Sequence, residues 1–149
     1  MFFGETAINL DAKGRLAVPM RYREDLREQC GNRMVLTYSA FDSGVLWLYL
    51  EKEWQRVRDE VMALPSLNSS HRSLQRRLVG SATAVEPDGN GRILLPPSLR
   101  DVTGLEKRVV MLGMGSRFEI WNENTLNQKR VEEANLDEQA SAEMARLVL

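Results

Sequence analysis

The stretch Asp11-Ala-Lys-Gly-Arg15-Leu-Ala-Val-Pro19 occurs a second time, in altered form, as Asp88-Gly-Asn-Gly-Arg92-Ile-Leu-Leu-Pro96. The two copies lie 77 residues apart (88 − 11), and Asp, Gly, Arg and Pro hold the same positions in both. Apolar residues also alternate in the same way after each arginine. A repeat that keeps a turn, a charge and a strand together predicts a duplicated structural unit that carries a duplicated site.

The similarity between the two halves extends beyond these nine residues on both sides. The matching segments are Ala7-Ile8 with Ala84-Val85, Tyr22-Arg23-Glu24 with Leu99-Arg100-Asp101, Arg33-Met-Val-Leu36 with Arg108-Val-Val-Met111, and Leu48-Tyr49 with Ile120-Trp121. A motif repeated by chance would not be expected to have similar flanking sequences as well. Each half is therefore predicted to have the order strand, turn, strand, short helix, strand, strand.

Local signals in the first half agree with this order. Residues 7–10 and 15–18 alternate around the turn signal Asp11-Ala-Lys-Gly14, which predicts a β-hairpin. Pro19 suits the first position of a helix that ends at the Cys30-Gly31 step. The residues expected on the buried side of this helix are Met20, Leu26 and Cys30.

The segments after the first helix have counterparts in the second half. Residues 34–38 and 45–50 are predicted strands, and residues 108–112 and 117–121 match them. A shorter second helix is expected to begin at Pro96-Pro97. These elements favour the α+β class, with a mostly antiparallel sheet and small helices at its edges.

Helical material of another kind separates the halves and ends the chain. Apolar spacing predicts two connecting helices, the second capped at Asn68 or Ser69. We therefore divide the chain into module 1 (1–52), a helical connector (53–80), module 2 (81–124) and a C-terminal helical tail (125–149). The apolar residues of the tail are irregularly spaced, which leaves both a subunit contact and a solvated appendage open: Leu126, Val131, Leu136, Met144 and Leu147.

Composition argues against several classes of protein. No apolar run approaches the roughly 20 residues that span a bilayer, and the first residues lack the pattern of a secretory signal, so we expect a cytosolic protein outside the membrane. One cysteine and one histidine, Cys30 and His71, cannot supply a four-ligand zinc site. No phosphate-binding loop motif is present. We expect neither a metal nor a cofactor.

The net charge of −1 is unevenly distributed along the chain. Residues 1–118 carry 17 basic and 14 acidic side chains, a net of +3, whereas residues 119–149 carry 3 and 7, a net of −4. The segment 66–85 contains three arginines, at positions 72, 76 and 77, and no acidic residue, which fits either a solvated helix face or a ligand contact. A weakly basic body with an acidic tail leaves nucleic acid open as a partner.

Three roles are open for the repeated Asp-x-x-Gly-Arg pattern. Each aspartate can close its own turn with backbone hydrogen bonds while each arginine joins the halves through a carboxylate. A protease-like pair of aspartates would have to share a proton, but the arginine four residues later favours ionised carboxylates, and the Asp-Thr/Ser-Gly signature of that class is absent. We therefore expect no enzyme.

The third role is DNA binding through paired basic β-ribbons. A ribbon fits the major groove, and arginine can bind a guanine edge or a phosphate. In this interpretation four residues shape the turns: Asp11, Gly14, Asp88 and Gly91. The residues expected to contact DNA are Lys13, Arg15, Arg21, Arg23, Arg92 and Arg100.

Taken together, the N-terminal run from Met1 to Arg23 and the two motifs resemble the bacterial MraZ family. Members of that family have two tandem AbrB-like (SpoVT-AbrB) modules, each with a D-x-x-x-R motif, and here the motifs fall on Asp11/Arg15 and Asp88/Arg92. The resemblance covers essentially the whole chain. It implies that the two modules pack as an intrachain pseudo-dimer around a pseudo-two-fold, β-barrel-like core.

The resemblance also implies a function. It indicates a nucleoid-associated, sequence-specific repressor of the division and cell-wall gene cluster, which acts on repeated promoter boxes of double-stranded DNA as a ring-shaped homo-oligomer. The alternative is a ring-forming scaffold that binds a protein partner. Because Asn90 replaces Lys13 in the second motif, the first module is predicted to contact phosphate more strongly. Phe2 and Phe3 are expected either to serve assembly or to pack into the core.

Overall fold

A computed structural model describes residues 1–135 and 141–149, in which we number eight strands and six helices. The strands are β1 (Phe2–Asn9), β2 (Arg15–Ala17), β3 (Met34–Tyr38), β4 (Val45–Leu50), β5 (Thr83–Val85), β6 (Arg92–Leu94), β7 (Arg108–Gly115) and β8 (Arg117–Asn122). The helices are α1 (Met20–Cys30), α2 (Glu51–Met62), α3 (Ser69–Leu78), α4 (Pro97–Thr103), α5 (Glu123–Ala134) and α6 (Ala142–Ala145). The order strand, strand, helix, strand, strand thus occurs twice, with α2 and α3 between the copies.

Six strands form one antiparallel sheet in the order β1-β7-β8-β4-β3-β5, and β2 pairs with β6 in a separate ribbon. The order is symmetric about the central pair of β8 and β4, since β1 beside β7 corresponds to β5 beside β3. The edge strands β1 and β5 do not pair with each other, so the sheet is open. The expected barrel-like closure is therefore wrong, because a barrel requires the two edge strands to meet.

The strands on either side of each aspartate turn do not form the predicted hairpin. Strand β1 pairs with β7 of the second half, where Ile8 lies opposite Val109, and β5 pairs with β3 of the first half. Strand β2 likewise pairs with β6, which places Leu16 opposite Ile93. Turn residues determine a local chain reversal but not which strands pair. Here the four strands that flank the turns, β1, β2, β5 and β6, each pair with a strand of the other half.

The main core lies between one face of the six-stranded sheet and the β2-β6 ribbon with α1 and α4. The ribbon contributes Leu16, Val18, Ile93 and Leu95, all at most 1% exposed. Alternate sheet residues such as Phe118 point into the same cluster. Because the ribbon takes one strand from each half, this core cannot form unless both halves are folded together.

Helix α1 buries a different residue from the one expected. Met20 is 75% exposed, whereas Tyr22 is buried with Leu26 and Cys30. The Tyr22 ring packs between Phe2 and Phe118, with centroids at 5.7 and 4.9 Å, and its hydroxyl donates to the Phe3 carbonyl at 2.6 Å. The aromatic contact orients the helix, so Phe2 joins the core while the Phe3 side chain is exposed.

Two separate helical groups cover the other face of the sheet. Helices α2 and α3 place Trp54 and Leu78 against β3 and β4, and α5 places Leu126 against β4, β7 and β8. Asn68 caps α3 through its side-chain oxygen, which accepts the Ser70 N–H at 2.8 Å. The module boundaries at residues 52, 80 and 124 stay a prediction.

The C-terminal tail is helical over α5 and α6. Leu126 is buried in α5, whereas Val131, Met144 and Leu147 are exposed, and Leu136 lies outside the described residues. Among the described helices, none is long and apolar enough to cross a bilayer.

A buried carboxylate lies on the sheet face that the helices cover. Glu119 is 8% exposed, and its two oxygens accept the indole N–H groups of Trp47 (3.1 Å) and Trp121 (3.0 Å). The guanidinium of Arg117 lies over the Trp47 ring, 4.0 Å from its centroid. Since Trp47 packs with α2 and α3 and Trp121 packs with α5, Glu119 links the two helical groups.

Replacing Glu119 with alanine should destabilise the fold. The change leaves two buried indole N–H groups without their acceptor, so Glu119→Ala is expected to lower the free energy of unfolding by about 2–4 kcal/mol. Urea denaturation followed by tryptophan fluorescence measures this loss. The matched control is Glu132→Ala on the exposed face of α5, which should change stability by less than about 0.5 kcal/mol. Equal effects of the two variants would contradict the role assigned to Glu119.

Candidate nucleic-acid interface

Both copies of the repeat form the same hydrogen-bonded turn. Asp11 Oδ1 accepts the backbone N–H groups of Lys13 (3.0 Å) and Arg15 (2.9 Å), and Asp88 Oδ1 accepts the two equivalent groups at 2.8 and 3.1 Å. The backbone N–H of each aspartate donates to the carbonyl four residues later. An ionised carboxylate suits this place because it only accepts hydrogen bonds. The two aspartates are therefore occupied with the shape of their turns.

The two motif arginines have different surroundings. Arg15 Nε donates to Asp11 Oδ2 at 2.7 Å, and Arg15 Nη1 lies 3.8 Å from Asp88 Oδ2. The equivalent guanidinium of Arg92 makes neither a hydrogen bond nor an ion pair with any group in residues 1–135 and 141–149. Arg15 thus helps to join the two turns, whereas Arg92 has no such partner among the described residues.

The tip of the first turn carries a further basic group. Lys13 is exposed, and within the part of the chain that the structure describes its ammonium group has no ion-pair partner. Asn90 holds the equivalent place in the second turn and is also exposed. The second turn lacks the lysine of the first, but its motif arginine, Arg92, is unpaired among the described residues, whereas Arg15 of the first turn is paired. Within that part of the chain, each turn therefore presents one unpaired basic side chain.

Arg21 projects from α1 toward β1. Its Nη2 donates to Thr6 Oγ1 at 2.6 Å, and its guanidinium carbon lies 4.8 Å from the centroid of the Tyr22 ring. The side chain is nevertheless exposed. Of the six basic residues that the sequence predicts as DNA contacts, Arg21 is therefore one whose contacts within the protein lie away from the two turns.

Arg23 lies against the turn of the other half. Its Nε donates to the Val18 carbonyl at 2.9 Å, and its side chain is half-buried. Gly91 has a φ of +76°, and a Cβ atom added there would lie 2.6 Å from Arg23 Cζ. The guanidinium of this first-half arginine therefore occupies the space beside the glycine of the second turn.

Arg100 makes the equivalent contact in the opposite direction. Its Nε donates to the Leu95 carbonyl at 3.1 Å. Gly14 has a φ of +79°, and a Cβ atom added there would lie 2.7 Å from Arg100 Nε. Each half thus places one helix arginine on the turn glycine of the other half. The sequence predicts these arginines as DNA contacts, and nothing local in the sequence indicates this crossed packing.

Two arginines of the basic stretch on α3 donate hydrogen bonds to carbonyl groups of neighbouring loops. Arg77 donates from Nε to the Ser39 carbonyl at 2.6 Å and from Nη2 to the Asp42 carbonyl at 2.9 Å, and Arg72 Nη1 donates to the Ser66 carbonyl at 2.7 Å. Two of the three arginines are therefore partly engaged within the fold. Sequence reasoning misses the role of Arg77 because its acceptors lie 38 and 35 residues away.

Comparison with known proteins also finds two successive units in the chain. The sequence model of the family described as "MraZ protein, putative antitoxin-like" matches residues 1–77 and again residues 78–147. This chain belongs to the MraZ family. Each matched segment contains one aspartate turn, one ribbon strand and one of the two crossed arginines. The resemblance inferred from the repeated motif is confirmed.

Several MraZ relatives are similar to this chain over most of its length. The protein named Transcriptional regulator MraZ of Xanthomonas oryzae pv. oryzae is 54% identical over 123 residues, which cover 83% of each chain. The protein of the same name from Stenotrophomonas maltophilia is 55% identical over the same extent. That of Thioalkalivibrio sulfidiphilus is 49% identical over 132 residues, covering 89% of this chain and 87% of the relative.

The turn carboxylates should titrate below the usual range. The backbone N–H of Arg15 is the largest cause that lowers the pKa of Asp11, to about 2, and the backbone N–H of Arg92 is the largest cause that lowers the pKa of Asp88. An unfolded aspartate has a pKa of about 3.9. Asp11 therefore contributes stability that is fully present above about pH 3.9 and is lost as the pH falls through about 2. A carboxyl NMR titration of the folded protein should place the Asp11 midpoint near 2, and an ordinary midpoint would contradict the turn geometry.

Alanine at the first turn glycine should destabilise the protein. Gly14→Ala forces a positive φ on a residue with a side chain and makes the guanidinium of Arg100 move away from the new Cβ, so we expect a loss of about 1–3 kcal/mol in the free energy of unfolding. Gly89 is the control, because it lies in the second turn and no described residue comes within 4 Å of a Cβ added there. Gly89→Ala should leave stability within about 1 kcal/mol of the parent protein. Thermal denaturation of both variants measures the difference, and a stable Gly14→Ala would contradict the described packing.

Proposed function

We propose that this protein is a DNA-binding transcriptional regulator that contacts DNA through its two aspartate turns and the β2-β6 ribbon between them. The observation that carries the proposal is that one antiparallel ribbon lies between two turns that each present a basic side chain, one with Lys13 at its tip and one with Arg92 unpaired among the described residues. A two-stranded ribbon with projecting cations matches the size of the major groove. The relatives' name, Transcriptional regulator MraZ, supports the same function.

The division of labour within the motif follows from its hydrogen bonds. Asp11 and Asp88 hold their turns, so they serve DNA binding by shape rather than by contact. Lys13 and Arg92 are the first candidates for phosphate or base contact, and Arg15 adds a cation at the start of β2, beside Asp11 and Asp88. Arg21 remains an exposed cation beside β1 and is a candidate for a flanking phosphate.

Assembly into a homo-oligomeric ring belongs to the same proposal. The outer edge of β1 has no partner strand among the described residues, and on that strand Phe3 is 81% exposed, opposite the exposed Met114 of β7. An unpaired edge with an apolar side chain is a ready surface for a second copy. A ring that presents several turn pairs to repeated promoter boxes gains roughly 10²–10⁴-fold in avidity, which compensates for the modest charge of one chain.

For the regulated genes and the sign of regulation, the proposal relies on the family resemblance. We propose repression at repeated boxes upstream of the division and cell-wall gene cluster, in the cytoplasm and on the nucleoid. A repressor needs only to bind and to exclude polymerase, which agrees with a chain built from two binding modules. The DNA upstream of the gene that encodes this chain is the natural probe.

Exchanging the two turn-tip residues tests the proposal directly. Lys13→Asn gives the first turn the tip of the second and should weaken DNA binding, and Asn90→Lys should strengthen it. Because each lost or gained phosphate contact changes counterion release, the salt dependence should become shallower by about one unit per bound chain in Lys13→Asn and steeper in Asn90→Lys. Fluorescence anisotropy with the upstream duplex, between about 50 and 200 mM salt, measures both effects.

The matched control is Arg58→Gln. Arg58 is an exposed cation of α2, on the sheet face opposite the ribbon, and its loss should leave DNA affinity unchanged. If the folded Lys13→Asn and Asn90→Lys variants both bind like the parent protein, the turns are not the DNA surface. If the tagged protein retains one stoichiometric protein partner and no DNA at physiological salt, the scaffold alternative replaces the proposal.

A further inference from the structure

The two turns are held by arginines that come from the opposite halves of the chain. The antiparallel pairing of β2 and β6 continues one step at each end, where Val18 N–H donates to the Gly91 carbonyl (2.9 Å) and Leu95 N–H donates to the Gly14 carbonyl (3.1 Å). Each turn glycine therefore lies beside the last ribbon residue of the other half. The helix that follows that ribbon residue belongs to the other half as well.

Arg23 and Arg100 use this crossed arrangement in the same way. Each donates its Nε–H to the carbonyl of its own half, five residues earlier, which fixes the plane of the guanidinium. That plane then lies against the turn glycine of the other half, where a Cβ atom would overlap it. The same contact occurs twice, once in each direction, so it is a property of the duplicated fold and not of one side chain.

The contact also explains why glycine, and not another residue that tolerates a positive φ, occupies positions 14 and 91. The positive φ at Gly14 and Gly91 favours glycine, but asparagine tolerates a left-handed conformation too, as Asn32 does here at φ 62°. A Cβ at either glycine would have to displace the crossed guanidinium from the position that its Nε–H hydrogen bond holds, so glycine is the residue that leaves this contact intact. Each turn is thus shaped by its own aspartate from within and by the arginine of the other half from outside.

We propose that Arg23 and Arg100 are positioning residues rather than DNA contacts, and that each sets the DNA-binding turn of the other half: Arg100 sets the turn of Lys13, and Arg23 sets the turn of Arg92. This inference rests on the proposed DNA-binding function and assigns control of each contact to the opposite half. It makes the two turns interdependent, so that neither module presents its DNA-binding residues without the helix of its partner module.

Double-mutant cycles with conservative variants separate positioning from contact. Arg100→Lys keeps the positive charge but loses the planar group and the Nε–H donor, so a positioning role predicts roughly a tenfold loss of affinity where a simple charge contact predicts little. Combined with Lys13→Ala, a contact in the turn it sets, Arg100→Lys should add almost nothing. Combined with Arg92→Ala, in the turn of its own half, the losses should multiply to roughly a hundredfold.

Arg23→Lys is the matched control with the opposite expectation. It should be non-additive with Arg92→Ala and multiplicative with Lys13→Ala. Coupling within one half, in place of coupling between halves, would overturn the proposal while leaving the DNA-binding function intact. If the losses of affinity multiply in every combination of an arginine variant with Lys13→Ala or Arg92→Ala, the proposal is likewise overturned.

A measurement without DNA keeps the inference separate from the proposed function. In ¹H–¹⁵N spectra of the free protein, Arg100→Lys should shift the backbone amides of residues 11–15 more than those of residues 88–92, and Arg23→Lys should give the reverse pattern. The reverse of these patterns, or shifts confined to each arginine's own half, would overturn the inference. If the crossed shifts appear and none of the variants changes DNA affinity, the positioning of the turns stands and the DNA-binding proposal fails.

Discussion

The pairing of β2 with β6 is the interaction on which the rest of the structure depends. These strands are only three residues long, yet they bring Leu16 and Ile93 together at the centre of the core. They also place the two aspartate turns at the two ends of one ribbon. Because one strand comes from each half, the ribbon joins two sequence repeats into a single folding unit, and burial of its apolar residues stabilises both halves at once.

The exchange of strands extends from the ribbon to the main sheet. Strand β1 completes the sheet of the second half and β5 completes that of the first, so each half lacks an edge strand without the other. The central pair of β4 and β8 then joins the two halves into one sheet. On the helix-covered face of this sheet, Glu119 accepts hydrogen bonds from Trp47 and Trp121 and thereby links the connector helices to the C-terminal helix. The duplicated modules are consequently interlocked at several levels rather than merely adjacent.

Much of the local structure could be predicted from sequence. The ranges of β3 and β4, the helix from Met20 to Cys30 with Gly31 after it, and the cap at Asn68 follow from alternation and capping residues that act within a few positions. The aspartate turns follow from the same kind of local hydrogen bonding. The buried side of α1 does not follow from local signals. Tyr22 is buried in place of the expected Met20 because its ring contacts Phe2 and Phe118, which lie outside the helix.

The candidate site was predicted in composition but not in arrangement. The repeat identifies Lys13, Arg15 and Arg92 as members of paired basic turns, and these residues do lie on or beside one ribbon. It also groups Arg23 and Arg100 with them, because a sequence pattern gives residue type and spacing and not the direction of a side chain. Only the fold places these two guanidinium groups against glycines of the opposite half.

By itself the sequence determined that the chain is duplicated, that each copy contains a turn closed by aspartate, and that the chain resembles the MraZ family. These properties depend on residue identity at short range or on a repeat that is visible in one dimension. The tertiary structure alone decided that the sheet is open, that the strands flanking the aspartate turns pair with the other half, and that Arg15 is paired while Arg92 makes no ion pair among the described residues. Those outcomes depend on which distant residues share a surface, and that choice is made by packing in three dimensions.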